Sequence, residues 1–381
     1  MTQNRGKLAI RKNNTMNIPW ARPYFWGREQ EFVADALNSS WISSGPYVGR
    51  FEKEFADYHG ARFCITTSSG TSALHLALLA IGVGPGDEVV VPGFTFIAPV
   101  NMIIAVGAKP AYADIDPDTW CVDTACVERN ISAKTKAIMA VHPYGNVCDM
   151  AALRRLADRR ELYLVEDSAE ALFSRYRGKL AGTFGDIGCF SFQATKAITT
   201  GEGGCVITSN KELSSRMRLI RDHGMSGPRK YWHDILGYNF RLTNIQAALG
   251  CAQFKNASKI ISAKRKIYSL YLRHLKNEEG IRLQFIKPKV EPVFWCVAVE
   301  IDPAVFGVSR DSLMRRLLLS GIETRPGFYP ASLMPFYRAP ALPVSEHISA
   351  RAISLPSFLA LTEPQIRYVC SRLKKLRKKG V

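Results

Sequence analysis

The chain has 381 residues, 47% hydrophobic and 22% charged, which is ordinary for a globular protein and enough for a large core and two domains. Its formal net charge of +18 suggests anionic partners, yet no nucleic-acid recognition motif accompanies the excess, much of which sits near the ends, as in Arg372 to Lys379. Nine cysteines with no close CxxC pair argue against a disulfide framework and against a zinc site, and fit free thiols in a reducing cytoplasm.

Met1 to Asn14 is polar and basic and lacks the apolar centre of a signal peptide. A helical pattern follows from Gly27 to Leu37, then a turn at Trp41 to Pro46 and a second amphipathic stretch from Phe51 to Tyr58. From residue 62 short apolar strands alternate with helices. Strands are predicted at Phe63 to Thr66, Glu88 to Val91, Lys109 to Ala113, Ala137 to Val141, Leu162 to Val165, Gly188 to Phe192 and Cys205 to Thr208. The helices between them fall at Ser72 to Ile81, Ile97 to Ala105, Asp123 to Asn130, Met150 to Arg159 and Lys211 to His223. This is the rhythm of an α/β domain on a mainly parallel sheet, which binds ligands at the carboxyl ends of its strands. Val89 to Ala108 carries no charge over 20 positions, but Pro92-Gly93 and Pro99 break it, so no transmembrane segment is expected.

After residue 225 the alternation loosens into one long helical stretch, Leu242 to Leu275. Strands near Ile281 to Phe285 and Val293 to Ile301 and helices at Ser309 to Leu319 and Glu363 to Leu376 then make a smaller α+β unit. The expected division is a flexible basic N-terminus (1–16), a large α/β domain (17–250), a smaller domain (251–375) and a basic tail (376–381).

Three stretches carry chemistry. Thr67 to Ala73 joins a strand to a helix; Gly70 lets the chain turn, and the helix-start amides that follow can hold a phosphate. Alone this is weak, because Ser and Thr are ordinary N-caps. Glu166, Asp167 and Glu170 follow a buried strand. With His142 as the sole recruit a metal is not expected, and a carboxylate paired with a cationic ring nitrogen reads better. Lys196 lies between two buried strands, in a polar turn closed by Gly201, Gly203 and Gly204; an amine held there away from water must be paired, neutral or consumed in a covalent bond, although this stretch taken alone also fits a lysine that snorkels to the surface from a tight turn. Together these are the parts that pyridoxal 5′-phosphate (PLP) requires: a helix dipole for phosphate, an acid for the pyridine nitrogen, and an amine for the Schiff base.

The stretches Ser69-Gly-Thr-Ser-Ala-Leu74, Pro92-Gly-Phe-Thr-Phe96, Val165-Glu-Asp-Ser-Ala-Glu-Ala171, Gly185 to Lys196 with Thr200 to Gly204, and Gly237-Tyr-Asn-Phe-Arg241 resemble the DegT/DnrJ/EryC1/StrS family of nucleotide-sugar aminotransferases over residues 17–375. The resemblance implies a fold-type-I, aspartate-aminotransferase-like architecture working as a homodimer with shared active sites. It implies Lys196 as the Schiff-base lysine, Asp167 on the pyridine nitrogen and Phe96 stacked on the ring. Thr71, Ser72 and Ser191, with Gly70 shaping the turn, match phosphate ligands, and Asn239 an asparagine reaching the other subunit's cofactor. Arg241, Arg325 and Tyr329 fall at positions implied to meet the substrate.

The resemblance implies that Glu170 stands where many relatives have Gln or His near the cofactor's phenolic oxygen; a carboxylate is less welcome beside a phenolate and is expected to share a proton or face the substrate, and perosamine-synthase-like members also carry Glu. Those members usually have His where Ser332 stands, which puts the sugar pocket in doubt. The activity implied is amine transfer from glutamate to a nucleotide-linked 4-keto-6-deoxy sugar, with GDP-4-keto-6-deoxymannose the favoured acceptor. Family dehydratases replace the lysine with His, so Lys196 argues against elimination. A non-catalytic ligand-binding relative is the remaining reading.

Overall fold

The computed structural model describes residues 16–227, 229 and 231–377. Of the expected basic ends, 1–16 and 376–381, residues 1–15 and 378–381 lie outside the described residues. In chain order the elements are α1 (Glu29–Asn38), α2 (Pro46–His59), β1 (Phe63–Thr67), α3 (Gly70–Ala80), β2 (Glu88–Pro92), α4 (Ala98–Ala105), β3 (Lys109–Ala113), α5 (Thr124–Arg129), β4 (Thr135–Val141), α6 (Met150–Arg159) and β5 (Tyr163–Asp167). There follow the two-residue strands β6 (Arg175–Tyr176) and β7 (Lys179–Leu180), then β8 (Ile187–Ser191), β9 (Gly204–Thr208), α7 (Lys211–Arg221), α8 (Asn244–Phe254) and α9 (Ala257–Leu275). The remainder comprises β10 (Ile281–Leu283), β11 (Val290–Glu291), β12 (Val297–Ile301), α10 (Pro303–Phe306), α11 (Arg310–Leu319), β13 (Arg325–Pro326), α12 (Pro343–Arg351), β14 (Ala352–Leu355) and α13 (Glu363–Lys375).

Seven strands form the main sheet in the order β1-β9-β8-β5-β4-β2-β3. The pairs among β8, β5, β4, β2 and β3 are parallel, and β9 alone runs against its two neighbours. Val89, Val90 and Val91 show why: helices cover both faces, so successive side chains are buried whichever way they point. Six strands, all but β9, therefore end at the same edge, and the candidate residues follow the ends of β1, β2, β5 and β8. The uncharged run from Val89 is strand, turn and α4, and among the described residues no helix is long and apolar enough to cross a membrane.

The predicted single helix from Leu242 is two. It breaks at Lys255 and Asn256, where the Asn256 amide donates back to Ala252 O and competes with the backbone ladder. α9 joins two cores: Ile260 packs with the main sheet and Ile267 with the second sheet, β10-β12-β14-β13. Chain and core do not divide at one residue, because β11 returns to pair with β6 and Val293 packs with the large core. The expected strand from Val293 begins only at Val297, leaving residues 292–296 free to run toward the sheet edge. α12 passes into β14 with no turn residue between, and sequence punctuation missed both.

One buried ionic hub ties α2, β1 and α7 together. The Glu52 carboxylate accepts from Thr66 N and Oγ1, from Arg218 Nη1 and from Arg221 Nη1. Glu52→Ala strands Arg221 and the Thr66 amide, and should cost about 3 kcal/mol in denaturant unfolding. A loss below about 0.5 kcal/mol would show the hub to be dispensable.

Candidate active site

The sheet edge opens into a cavity of about 700 Å³. β1 delivers Ser69 to it, β2 Phe96, β5 Asp167 and Glu170, and β8 Ser191 and Lys196. Alternation along β5 sorts the two acids on it, Glu166 and Asp167, and Glu170 follows in the turn. Glu166 points away and is fully buried, accepting from the amides of Gly182, Phe184 and Gly185 and facing His142 Nε2 at 3.1 Å. It is a fastening between β5 and the following loop. Asp167, at the strand's end, faces the cavity. Its Oδ1 takes the Ala169 amide at 3.1 Å, and its Oδ2 receives no hydrogen bond among the described residues. Burial pushes its pKa up, opposed by the Ala169 amide and by the charges of Lys196 and His142.

Glu170 Oε2 accepts the Tyr144 amide at 2.7 Å, and Oε1 lies 3.4 Å from Lys196 Nζ. Desolvation raises its pKa too, with Lys196 the chief opposing charge. Lys196 Nζ also sits 3.8 Å from the centre of the Trp295 ring, a cation on the negative face of an indole. Its loop is rigid for local reasons: Gln193 Oε1 accepts from Thr195 N and Oγ1, and Gln193 O accepts the Lys196 amide.

The turn before α3 is built of hydroxyls. Ser69 Oγ caps the Ser72 amide at 3.0 Å, and Ser72 Oγ is shared with Ser68 and Ser69. Gly70 is required for contact rather than for φ, since a Cβ there would stand 2.7 Å from Ser191 Cβ. The helix start is thus pressed against the end of β8, with Thr71 and Ser191 both in the cavity wall.

Most expected residues meet here: Gly70, Thr71, Phe96, Asp167, Glu170, Ser191, Lys196, Arg325 and Tyr329 all line the cavity. Phe94 and Phe96 separate cleanly, the first 1% exposed in the core and the second 60% exposed over the cavity. Ser72 does not line the cavity; its hydroxyl serves the cap. Asn239 and Arg241 lie outside it, exposed and bonded to each other, with Arg241 also paired to Asp222. No group of three or more His, Cys, Asp or Glu among the described residues is placed to hold a metal ion. Sequence reasoning missed the aromatic wall of Trp20, Tyr144, Trp295 and Phe328, in which Tyr144 stacks on Phe328 at 5.1 Å. The only hint was a Trp inside an aliphatic run read as strand.

This set fits PLP: a free carboxylate oxygen for a ring N–H, a helix start with Ser69 for phosphate, and one amine lining the same cavity. Fold and site together define a fold-type-I PLP enzyme. The DegT/DnrJ/EryC1/StrS aminotransferase family model matches residues 26–374, and the chain belongs to that family. Among curated proteins it is 44% identical to the GDP-perosamine synthase of Escherichia coli O157:H7, covering 93% of this chain and 97% of that one. To the GDP-perosamine synthase of Vibrio cholerae it is 42% identical, covering 94% and 98%. Of solved structures, the aminotransferase TlmJ from Streptoalloteichus hindustanus superposes with a TM-score of 0.90 at 29% identity, covering 94% and 98%. The chain is a PLP-dependent sugar-nucleotide aminotransferase.

The raised pKa of Asp167 has a stability consequence. The folded protein holds a proton there over a pH range where the unfolded chain does not, so stability falls as pH rises through that range. Without cofactor, Asp167→Asn should therefore melt higher than wild type at about pH 7, with the gain vanishing below the ordinary carboxylate range. A variant that melts lower at neutral pH would contradict this.

Proposed function

We propose that the enzyme transfers an amino group from glutamate to a GDP-linked 4-keto-6-deoxy sugar, giving GDP-perosamine. The observation that carries the chemistry is the placing of Lys196 Nζ 3.4 Å from Glu170, in one cavity with the free oxygen of Asp167 and the start of α3. The choice of acceptor rests on the likeness to the two GDP-perosamine synthases, covering nearly all of each chain.

Pyridoxal phosphate, when bound, supplies an electron sink that lets the donor's Cα–H and the amino group be exchanged. Asp167 would hold its ring nitrogen, and the amides and hydroxyls of Gly70, Thr71 and Ser191 its phosphate. Lys196 would hold it covalently. As a free neutral amine, Lys196 Nζ would act as the base that takes the proton from the donor's Cα, and as the ammonium so formed would deliver it to the cofactor; in the sugar half it would move a proton the opposite way, from the cofactor to the sugar carbon. Glu170, anchored by the Tyr144 amide, would pair with Lys196 Nζ in its protonated form and keep it beside the reacting carbon. Phe96 and Trp295, both in the cavity wall, would pack against the bound group and limit access of water to it.

Asn239 and Arg241, exposed and outside this chain's cavity, serve the site of a second copy, so that the working unit is a homodimer. Nine uncrosslinked cysteines suit a reducing, cytoplasmic setting.

Lys196→Ala should abolish formation of an aminated GDP-sugar from glutamate, followed by mass and NMR against UDP- and dTDP-linked ketosugars. Asp167→Asn should lower kcat about 100-fold or more. Undiminished turnover by the lysine variant would remove the assignment, and a product aminated only on another nucleotide would replace the acceptor. Mixing Lys196→Ala with Asn239→Ala subunits should restore activity if the sites are shared. Failure to complement, when each variant alone is impaired, would place Asn239 in its own subunit's site.

A further inference from the structure

A second space, of about 20 Å³ and so of roughly one water's size, has Lys196 in its wall together with another lysine, Lys264. Lys264 lies on α9, the helix joining the two cores, and is 5% exposed. Burial lowers its pKa to about 8, with the charge of Lys196 acting in the same direction and Cys296 opposing. No carboxylate pairs with it among the described residues. Its Nζ instead donates to two main-chain carbonyls, Trp295 O and Ser357 O, both at 2.7 Å.

Neither carbonyl belongs to a strand: β12 starts after Trp295 and β14 ends before Ser357. A buried loop carbonyl needs a donor, and here one ammonium serves two loops. What distinguishes Trp295 is its other contacts. Its amide donates to Tyr144 O at 2.8 Å, its indole Nε1 donates to Thr195 O at 2.7 Å, and its ring face lies under Lys196 Nζ. Main-chain hydrogen bonds at both ends fix the residue, and its side chain then grips the peptide adjoining Lys196 and supports the amine itself.

We propose that Lys264 is a positioning residue for Lys196, acting through Trp295. The consequence is that the reach of the amine is set from the helix that bridges the two cores rather than by its own loop alone. The proposal rests on Lys196 being the amine that serves the cofactor, and its test separates the two claims.

In cofactor-free protein, limited acetylation with N-acetoxysuccinimide, read by peptide mass spectrometry, reports how far Trp295 covers Lys196. Lys264→Met keeps the side chain's length but removes the donor. It should raise the acetylation rate of Lys196 several-fold relative to Lys136, and in the loaded enzyme should lower kcat about tenfold or more with little change in donor KM. Trp295→Phe, which leaves Lys264 intact and removes the indole N–H, should do the same, and carries the test if Lys264→Met does not fold. The double variant should be no worse than the more severe single variant, because both act along one path. A Lys264→Met protein that melts lower yet shows unchanged Lys196 labelling and unchanged kcat, or losses that add fully in the double variant, would overturn the proposal. If Lys196→Ala itself retains amine transfer, the functional assignment fails while the labelling result still decides the positioning claim.

Discussion

Holding an ammonium group out of bulk water, without locking it, is the constraint on which the rest of this structure turns. The Lys196 side chain is 14% exposed, and it gets a carboxylate on one side and an indole face on another. Both are partial partners. The distance to Glu170 is 3.4 Å, long for a charged hydrogen bond, and burial makes the Glu170 carboxylate reluctant to ionise. A tighter pair would leave the amine unavailable for chemistry.

The fold supplies this through strand ends and loop anchors. Six strands stop at one edge, so residues distant in sequence, from Ser69 to Lys196, come within one cavity without any long loop having to find them. The carboxylates of Glu166 and Glu52 are consumed in fastening the frame, the former by three loop amides and the latter by two arginines. Asp167 and Glu170 are left with one oxygen each turned to the site. The acids thus divide by partner: Glu52 and Glu166 are held by several donors of the frame, whereas Asp167 has one oxygen with no donor among the described residues and Glu170 has one whose partner is Lys196 itself.

The alternating part of the fold was legible because strands such as Val89–Val91 are apolar throughout and the helices are amphipathic. The C-terminal part was less so. α12 runs into β14 without punctuation, and the two-residue strands β6, β7 and β11 are defined by pairing alone, with no periodicity of their own. In the candidate site, polar residues at strand ends could be read from the chain because chemistry restricts their type. Trp295, Tyr144 and Lys264 could not. An aromatic wall looks like core in sequence, and only its contacts with Lys196 and Thr195 distinguish it.

Lys196 as the amine that holds the cofactor is the one covalent assignment on which the chemistry depends. Reducing the pyridoxal-phosphate-loaded enzyme with borohydride and mapping its peptides by mass spectrometry reads that assignment directly. A pyridoxyl adduct confined to the peptide at Lys196 is the predicted result; an adduct on Lys264 or any other lysine, with Lys196 unmodified, would contradict it.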